Sequence, residues 1–341
     1  MSNQNIQNIK AASGQILSIL GKQKAVIAIF VIFIVMIFPD TNFYTALNLS
    51  NLLEAVSTNA IIAFGVTFAV ICKGCDLSVG SVMAMAGIIA IMLINSGMNM
   101  ALAILIAILS GSVVGFVNGF LIVHQKSEAF IITLGMGMLV QGVALLLTNA
   151  VNVAATDPNF QRLANDTWLG IPNIAAFMII LGVIAFLLLR FTNFGRNVYA
   201  LGGDYEVAEH SGINVVRTKW LAFVLTGTFA AIAGVLAASR MNTGIPIAGV
   251  EVPLMVNCGV VLGGTSFAGG VGGVPQSFVG VFVLFLMSNS MMMLGFSPFQ
   301  QQLVRGIIIV TIIAFSCYAE KRKRENVNLP GGRRLGNVKV Q

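Results

Sequence analysis

The chain alternates long apolar runs with short polar breaks, and the runs set its organisation. After a polar stretch, apolar segments fall near 25–38, 53–72, 77–95, 99–123, 129–148, 173–191, 219–239, 253–267, 275–295 and 300–318. Most are about twenty residues long, the length that carries a helix across a bilayer. None shows the ten-residue alternation of an outer-membrane barrel. The pattern therefore predicts an all-α polytopic membrane protein with about ten transmembrane helices. The eighth run is short and glycine-rich, so broken or re-entrant segments are expected near 72–81 and 253–274.

Composition agrees. The chain is 57% hydrophobic and 9% charged, with a mean hydropathy of +0.91; soluble domains carry about 25% charged residues. Residues 1–24 read as a polar N-terminal tail, in which Ile6, Ile9, Ile16 and Leu20 leave an interfacial helix and disorder both open. The run from Ala25 to Phe38 ends at Pro39-Asp40 without a small-residue cleavage site, so an uncleaved first span is expected. Residues 25–318 form the membrane domain and 319–341 a basic tail.

Charge orients this arrangement. With the N-terminus in the cytoplasm and the spans alternating, sixteen of the 19 lysines and arginines fall inside and three, Arg162, Arg240 and Arg305, outside. Both termini are then cytoplasmic, as the positive-inside rule requires. The same asymmetry accounts for the net charge of +7 without nucleic acid. The block "EKRKREN" reads as a contact with the lipid surface.

Two connections are long. Residues 149–172 lie outside, and residues 192–218 inside. In the second, Gly202 and Gly203 precede Asp204, an N-cap for a short helix that ends at Gly212. Glu206 sits in its first turn, where a carboxylate suits the helix dipole. A docking element and a solvated connector are both open for this helix on the residues alone. Gly111, Gly115 and Gly119 repeat every four residues, and Gly227 and Gly234 line the seventh span, so close helix packing is expected there.

Known chemistry is sparse. There is no nucleotide-binding P-loop, no H-E-x-x-H and no G-x-S-x-G. Cys72 and Cys75 have C-x-x-C spacing with no second pair to complete a metal site, so they read as packing residues, and no cofactor or metal is expected. The polar insertion "GCDLSVGS", Gly74 to Ser81, stands between two apolar runs. Asp76 or Ser78 either caps the third span or belongs to a broken-helix junction on a polar path. A second glycine-rich junction spans Gly263 to Gly280, and Gly142 and Gly306 follow the two junctions. This hints at a weak internal duplication with halves near 50–150 and 220–318.

Five stretches in order, "GCDLSVGS", "AFIITLGM", "FGRNVYALGGDYEVAEHSGINV", "VVLGGTSFAGG" and "FSPFQQQLVRG", resemble the permease subunit of bacterial ABC importers for ribose, galactose and related monosaccharides. The resemblance runs from about residue 45 to 318. It implies an inner-membrane protein that pairs with a second permease copy, engages a cytoplasmic ATP-binding subunit and receives sugar from a periplasmic binding protein. ATP is then bound by the partner. The loop matching 194–215 becomes the expected coupling contact, through Gly202, Gly203, Asp204, Glu206, Glu209, His210 and Gly212. Path candidates for a neutral sugar, which needs hydroxyl and amide partners, are Asp76, Ser78, Gln141, Asn257 and Gln302. This chain reads "EVPLMVNCGVVLGG" where the family often has "ELDAIAAVVLGG", so Pro253 replaces an aspartate and the cargo is left open. A stand-alone secondary carrier is the alternative, though few ionisable groups fall at mid-span. An intramembrane enzyme lacks any nucleophile–base pair.

Overall fold

A computed structural model describes residues 24–36, 41–125, 127–168 and 170–326. It is helical almost throughout. The helices are α1 (Lys24–Val35), α2 (Ala46–Ile71), α3 (Val79–Asn95), α4 (Met100–His124), α5 (Ala129–Thr148), α6 (Pro158–Asn165), α7 (Asn173–Phe191), α8 (Asn193–Gly203), α9 (Tyr205–His210), α10 (Val215–Met241), α11 (Val252–Leu262), α12 (Val274–Met293) and α13 (Pro298–Asn326). Among the described residues six helices, α2, α4, α5, α7, α10 and α12, are long and apolar enough to cross a membrane. The chain is an all-α polytopic membrane protein.

The helix ends follow local chemistry. Thr45 accepts from the Asn48 N–H to start α2, Asn99 from Ala101 and Leu102 to start α4, and Asn214 from Arg217 to start α10. Pro253 and Pro275 occupy first turns, where the missing N–H costs nothing. Asn149 and Asn242 close α5 and α10 in left-handed conformation, which asparagine tolerates.

Helices α2 and α10 form the centre. Most of α2 is buried, and α10 packs against α2, α3 and α4. The expected glycine faces make this possible. A Cβ at Gly115 would overlap the Phe223 carbonyl, one at Gly227 the Gly111 carbonyl, and one at Gly234 the Met83 carbonyl. Backbones therefore touch along the α4–α10 and α3–α10 seams. Helices α5 and α7 lie at the periphery, with Leu146 and Ile131 among their open apolar side chains.

Three expectations change. The first apolar run yields a twelve-residue helix, α1, with residues 1–23 and 37–40 outside the described residues. The interfacial-helix expectation and the tail beyond 326 also lie outside them. The eighth run ends at Leu262, not 267, and α11 is only eleven residues. That is about 16 Å of helix, well short of a ~30 Å hydrocarbon core. Lastly, the connection 192–218 holds a further helix, α8, ahead of the expected short one, α9. The connection 149–172 contains α6. Strand β1 (Val153–Ala154) pairs with β4 (Thr243–Gly244) after α10, and β2 (Thr167–Trp168) pairs with β3 (Ile171–Pro172).

Candidate functional site

The insertion at 74–81 is a buried polar knot. Helix α2 stops at Ile71, Lys73 takes a left-handed conformation, and the chain runs non-helically to Val79. At membrane depth such backbone needs internal partners, and side chains from two other helices supply them. Thr133 of α5 accepts from the Leu77 N–H at 3.1 Å, and its hydroxyl lies 3.1 Å from the Cys75 carbonyl. Asn257 of α11 donates to the carbonyls of Asp76, at 3.0 Å, and Pro253, at 2.8 Å. Cys75 Sγ faces Asn257 Oδ1 at 3.5 Å.

Asp76 is 1% exposed. Its Oδ1 accepts from the Ser78 N–H at 2.9 Å and the Ser78 hydroxyl at 2.6 Å. Asn118 of α4 donates to Ser78 Oγ at 2.9 Å. Of the two expected caps, Asp76 is the one that closes the turn before α3; the Ser78 side chain makes no cap bond to that helix. Asp76 Oδ2 and Asn118 Oδ1 have no partner among the described residues. Such unfilled acceptors mark a network with capacity in reserve.

The five path candidates thus separate. Asp76, Ser78 and Asn257 belong to one network. Gln141 donates from Nε2 to the Pro246 carbonyl at 2.6 Å, on the irregular segment before α11. That segment meets the start of α3, because a Cβ at Gly80 would overlap the Gly249 carbonyl and the reverse also holds. Gln302 stands apart on an exposed face of α13. Sequence reasoning did not single out Asn118 or Thr133 individually. Each is a polar residue in a helix made mostly of glycines and apolar residues, and that was the available signal.

The coupling candidates fall on α8 and α9. Asp204 Oδ1 accepts from the Val207 N–H at 3.1 Å and caps α9; Gly212, at φ 79, ends it. Glu206, Glu209 and His210 are exposed, and so is Gly203. Gly202 is buried instead. A Cβ there would overlap the Ile71 carbonyl oxygen and the Gly270 nitrogen. Gly270 N–H donates to that same Ile71 carbonyl at 3.0 Å. Tyr199 of α8 donates its hydroxyl to the Gly272 carbonyl at 2.8 Å, and burial pushes that phenol's pKa above its ordinary value. Lys73 Nζ donates to the Gly203 carbonyl at 3.3 Å. Helix α8 is thus seated on both irregular junctions at once, 72–78 and 263–273, and leads directly into α9.

Comparison with known proteins fits this architecture. Residues 48–313 match the family model described as branched-chain amino acid transport system / permease component. The chain belongs to this permease family. It is 37% identical over 283 residues to the L-arabinose transport system permease protein AraH of Escherichia coli K12, covering 83% of this chain and 86% of the relative. It is 35% identical over 298 residues to the ribose import permease protein RbsC of the same organism, covering 86% and 93%. RbsC of Bacillus subtilis is 36% identical over 289 residues, covering 84% and 90%. No solved structure matches. The protein is therefore a multi-pass permease component, a transport part and not an enzyme. Among the described residues no group of His, Cys, Asp and Glu is placed to hold a metal, and Cys72, Cys75 and Cys258 are free thiols.

Proposed function

We infer that the chain is the transmembrane subunit of an ATP-driven importer for a monosaccharide or similar small polyol. Its relatives are permeases of arabinose and ribose systems. ATP is bound and hydrolysed by a separate cytoplasmic subunit, a periplasmic binding protein delivers the sugar, and a second permease copy completes the pore in the inner membrane. The N- and C-terminal tails, 1–24 and 319–341, are cytoplasmic in this reading, as the positive-inside count requires.

One observation carries the mechanism: α8 rests on both irregular junctions, through Gly202, Tyr199 and the Gly203 carbonyl that Lys73 bonds, and runs directly into α9. The ATPase engages the exposed, acidic α9 through Asp204, Glu206, Glu209 and His210. Movement of that pair then shifts the chain at 72–78 and 263–273 together, without a hinge inside α2 or α10. Lipid meets the open apolar faces of α5 and α7.

The bundle has ten membrane segments in this reading, α1, α3, α11 and α13 joining the six long helices, with α11 entering the membrane without crossing it by itself. The order of elements supports the duplication. Long α2 leads through a break to shorter α3, and long α10 leads through residues 242–251 to short α11. This pairs 72–78 with 242–251, in place of the glycine-rich 263–280.

Tagged purification from membranes in mild detergent, followed by mass spectrometry, tests the reading. A co-purifying soluble subunit with two P-loops is the expected result. Recovery of the chain alone, with sugar uptake in vesicles that collapses with the proton gradient, would establish the secondary-carrier alternative instead. Asp204→Ala combined with Glu206→Ala should cut recovery of the ATPase while membrane insertion is unchanged.

A further inference from the structure

The segment between α10 and α11 has a property that lipid does not permit. From β4 the chain descends beside α3. Gly244 packs on Ile88, and Gly249 abuts Gly80. Those contacts lie eight residues apart on α3, about 12 Å along the helix axis. The segment is therefore a non-helical run of turns, closed by bonds such as Ala248 N–H to the Ile245 carbonyl, packed along this stretch of α3. Gly244, Pro246 and Gly249 face inward and are buried, whereas Ile247 is 63% and Val250 64% exposed.

At its foot Glu251 pairs with Arg305 of α13, Nη1 to Oε2 at 3.0 Å. The Glu251 side chain is half open. Arg305 Nε is buried with no partner among the described residues, and Nη2 has only a long contact, 3.5 Å, to Gln301 Oε1. Irregular backbone is tolerated at membrane depth only where protein covers it or water reaches it. The half-open Glu251–Arg305 pair, with guanidinium capacity to spare, adds a polar feature at the end of this segment.

We propose that residues 245–251 and the Glu251–Arg305 pair line the translocation path and form its solute-contacting site. This rests on the import reading above. A neutral polyol fits the chemistry. Each hydroxyl both donates and accepts, so neighbouring hydroxyls bind an open carboxylate oxygen and the Arg305 Nη2 N–H, whose one contact is long, without upsetting the pair's neutrality. A charged solute would leave one member of the pair unbalanced. Asp76 and Ser78, sealed inside their own network, then hold the wall in place and do not touch cargo.

The test uses the full transporter with its ATPase and a Val250→Cys variant, with the parent chain as control. The probe is whichever monosaccharide of a panel the assembly imports. A water-soluble, membrane-impermeant thiol reagent should label Cys at 250, and the imported sugar should protect it. In a second arm, Glu251→Gln should raise the KM for uptake about tenfold or more, with ATPase co-purification retained. Labelling only by a lipid-soluble reagent, or by none, would overturn the water-lined path. Labelling without sugar protection, together with an unchanged KM, would overturn the contact site. If Glu251→Gln fails to assemble, the labelling of 250 still decides. If no sugar moves and no ATPase is recovered, the import reading fails, while the labelling separately reports whether the segment is wet.

Discussion

At the scale of single residues, the knot around Asp76 sets the sharpest expectations. Asn257 donates to the Asp76 carbonyl, on the non-helical turn, as well as to the Pro253 carbonyl of its own helix. Asn257→Ala strands the Asp76 carbonyl, and a stranded buried acceptor costs about 1–3 kcal/mol. The detergent-solubilised protein should melt measurably lower, and a melting curve equal to the parent's would show that the network is dispensable. Asp76→Asn is a gentler change. It keeps the Oδ1 acceptor for Ser78 and puts a donor where Oδ2 stands unpartnered. It should fold at least as stably as the parent, whereas Asp76→Ala, which removes the turn's acceptor, should lose stability on the scale of the Asn257 change. Lower stability for Asp76→Asn than for Asp76→Ala would mean that the charge itself is needed.

At the scale of elements, two adjacent glycines separate packing from propensity. Gly202→Ala drives a methyl into the Ile71 carbonyl and the Gly270 nitrogen, so α8 must lift off both junctions. Gly203 has no heavy atom within 4 Å of its would-be Cβ and ends the same helix. Gly203→Ala should be neutral or stabilising by up to about 1 kcal/mol, since alanine is the better helix former. Uptake and stability should therefore fall for the first and hold for the second. Equal behaviour would remove α8's close seating as the reason. The same logic applies along α4. Gly115→Ala pushes against the Phe223 carbonyl and should separate α4 from α10, whereas Gly142→Ala on α5 meets open space.

At the scale of the whole molecule, the decisive quantity is orientation. Cysteines placed at Thr156, in the 149–172 connection, and at Gly203, on α8, should react with impermeant reagents from opposite sides of the membrane. Thr156 should label in intact cells and Gly203 only in inverted vesicles. Labelling of both from one side would break the alternation on which the charge count rests. The charge count and the position of α8–α9 set this expectation, and the ion pair of Glu54 with Arg240, at 2.8 Å, lies on the 149–172 side of the bundle.

The sequence by itself determined the bundle. Apolar runs near twenty residues predicted helices at 129–148 and 173–191 to the residue. That works because a lipid-exposed helix must satisfy its backbone internally and cover itself with apolar side chains, both local properties. The α9 cap was legible for the same reason, since Asp204 bonds three residues ahead. What only the tertiary structure decided was which irregular segments meet. The bond from Asn257 to Asp76 spans 181 positions, and the contact of Gly80 with Gly249 is made by backbone alone. A glycine's spacing shows that a close approach is possible, but its partner is chosen by how whole helices pack. The exposed side of residues 245–251 was hidden for a related reason: "GIPIAGVE" reads as one more apolar run until its neighbours show which face has been left open.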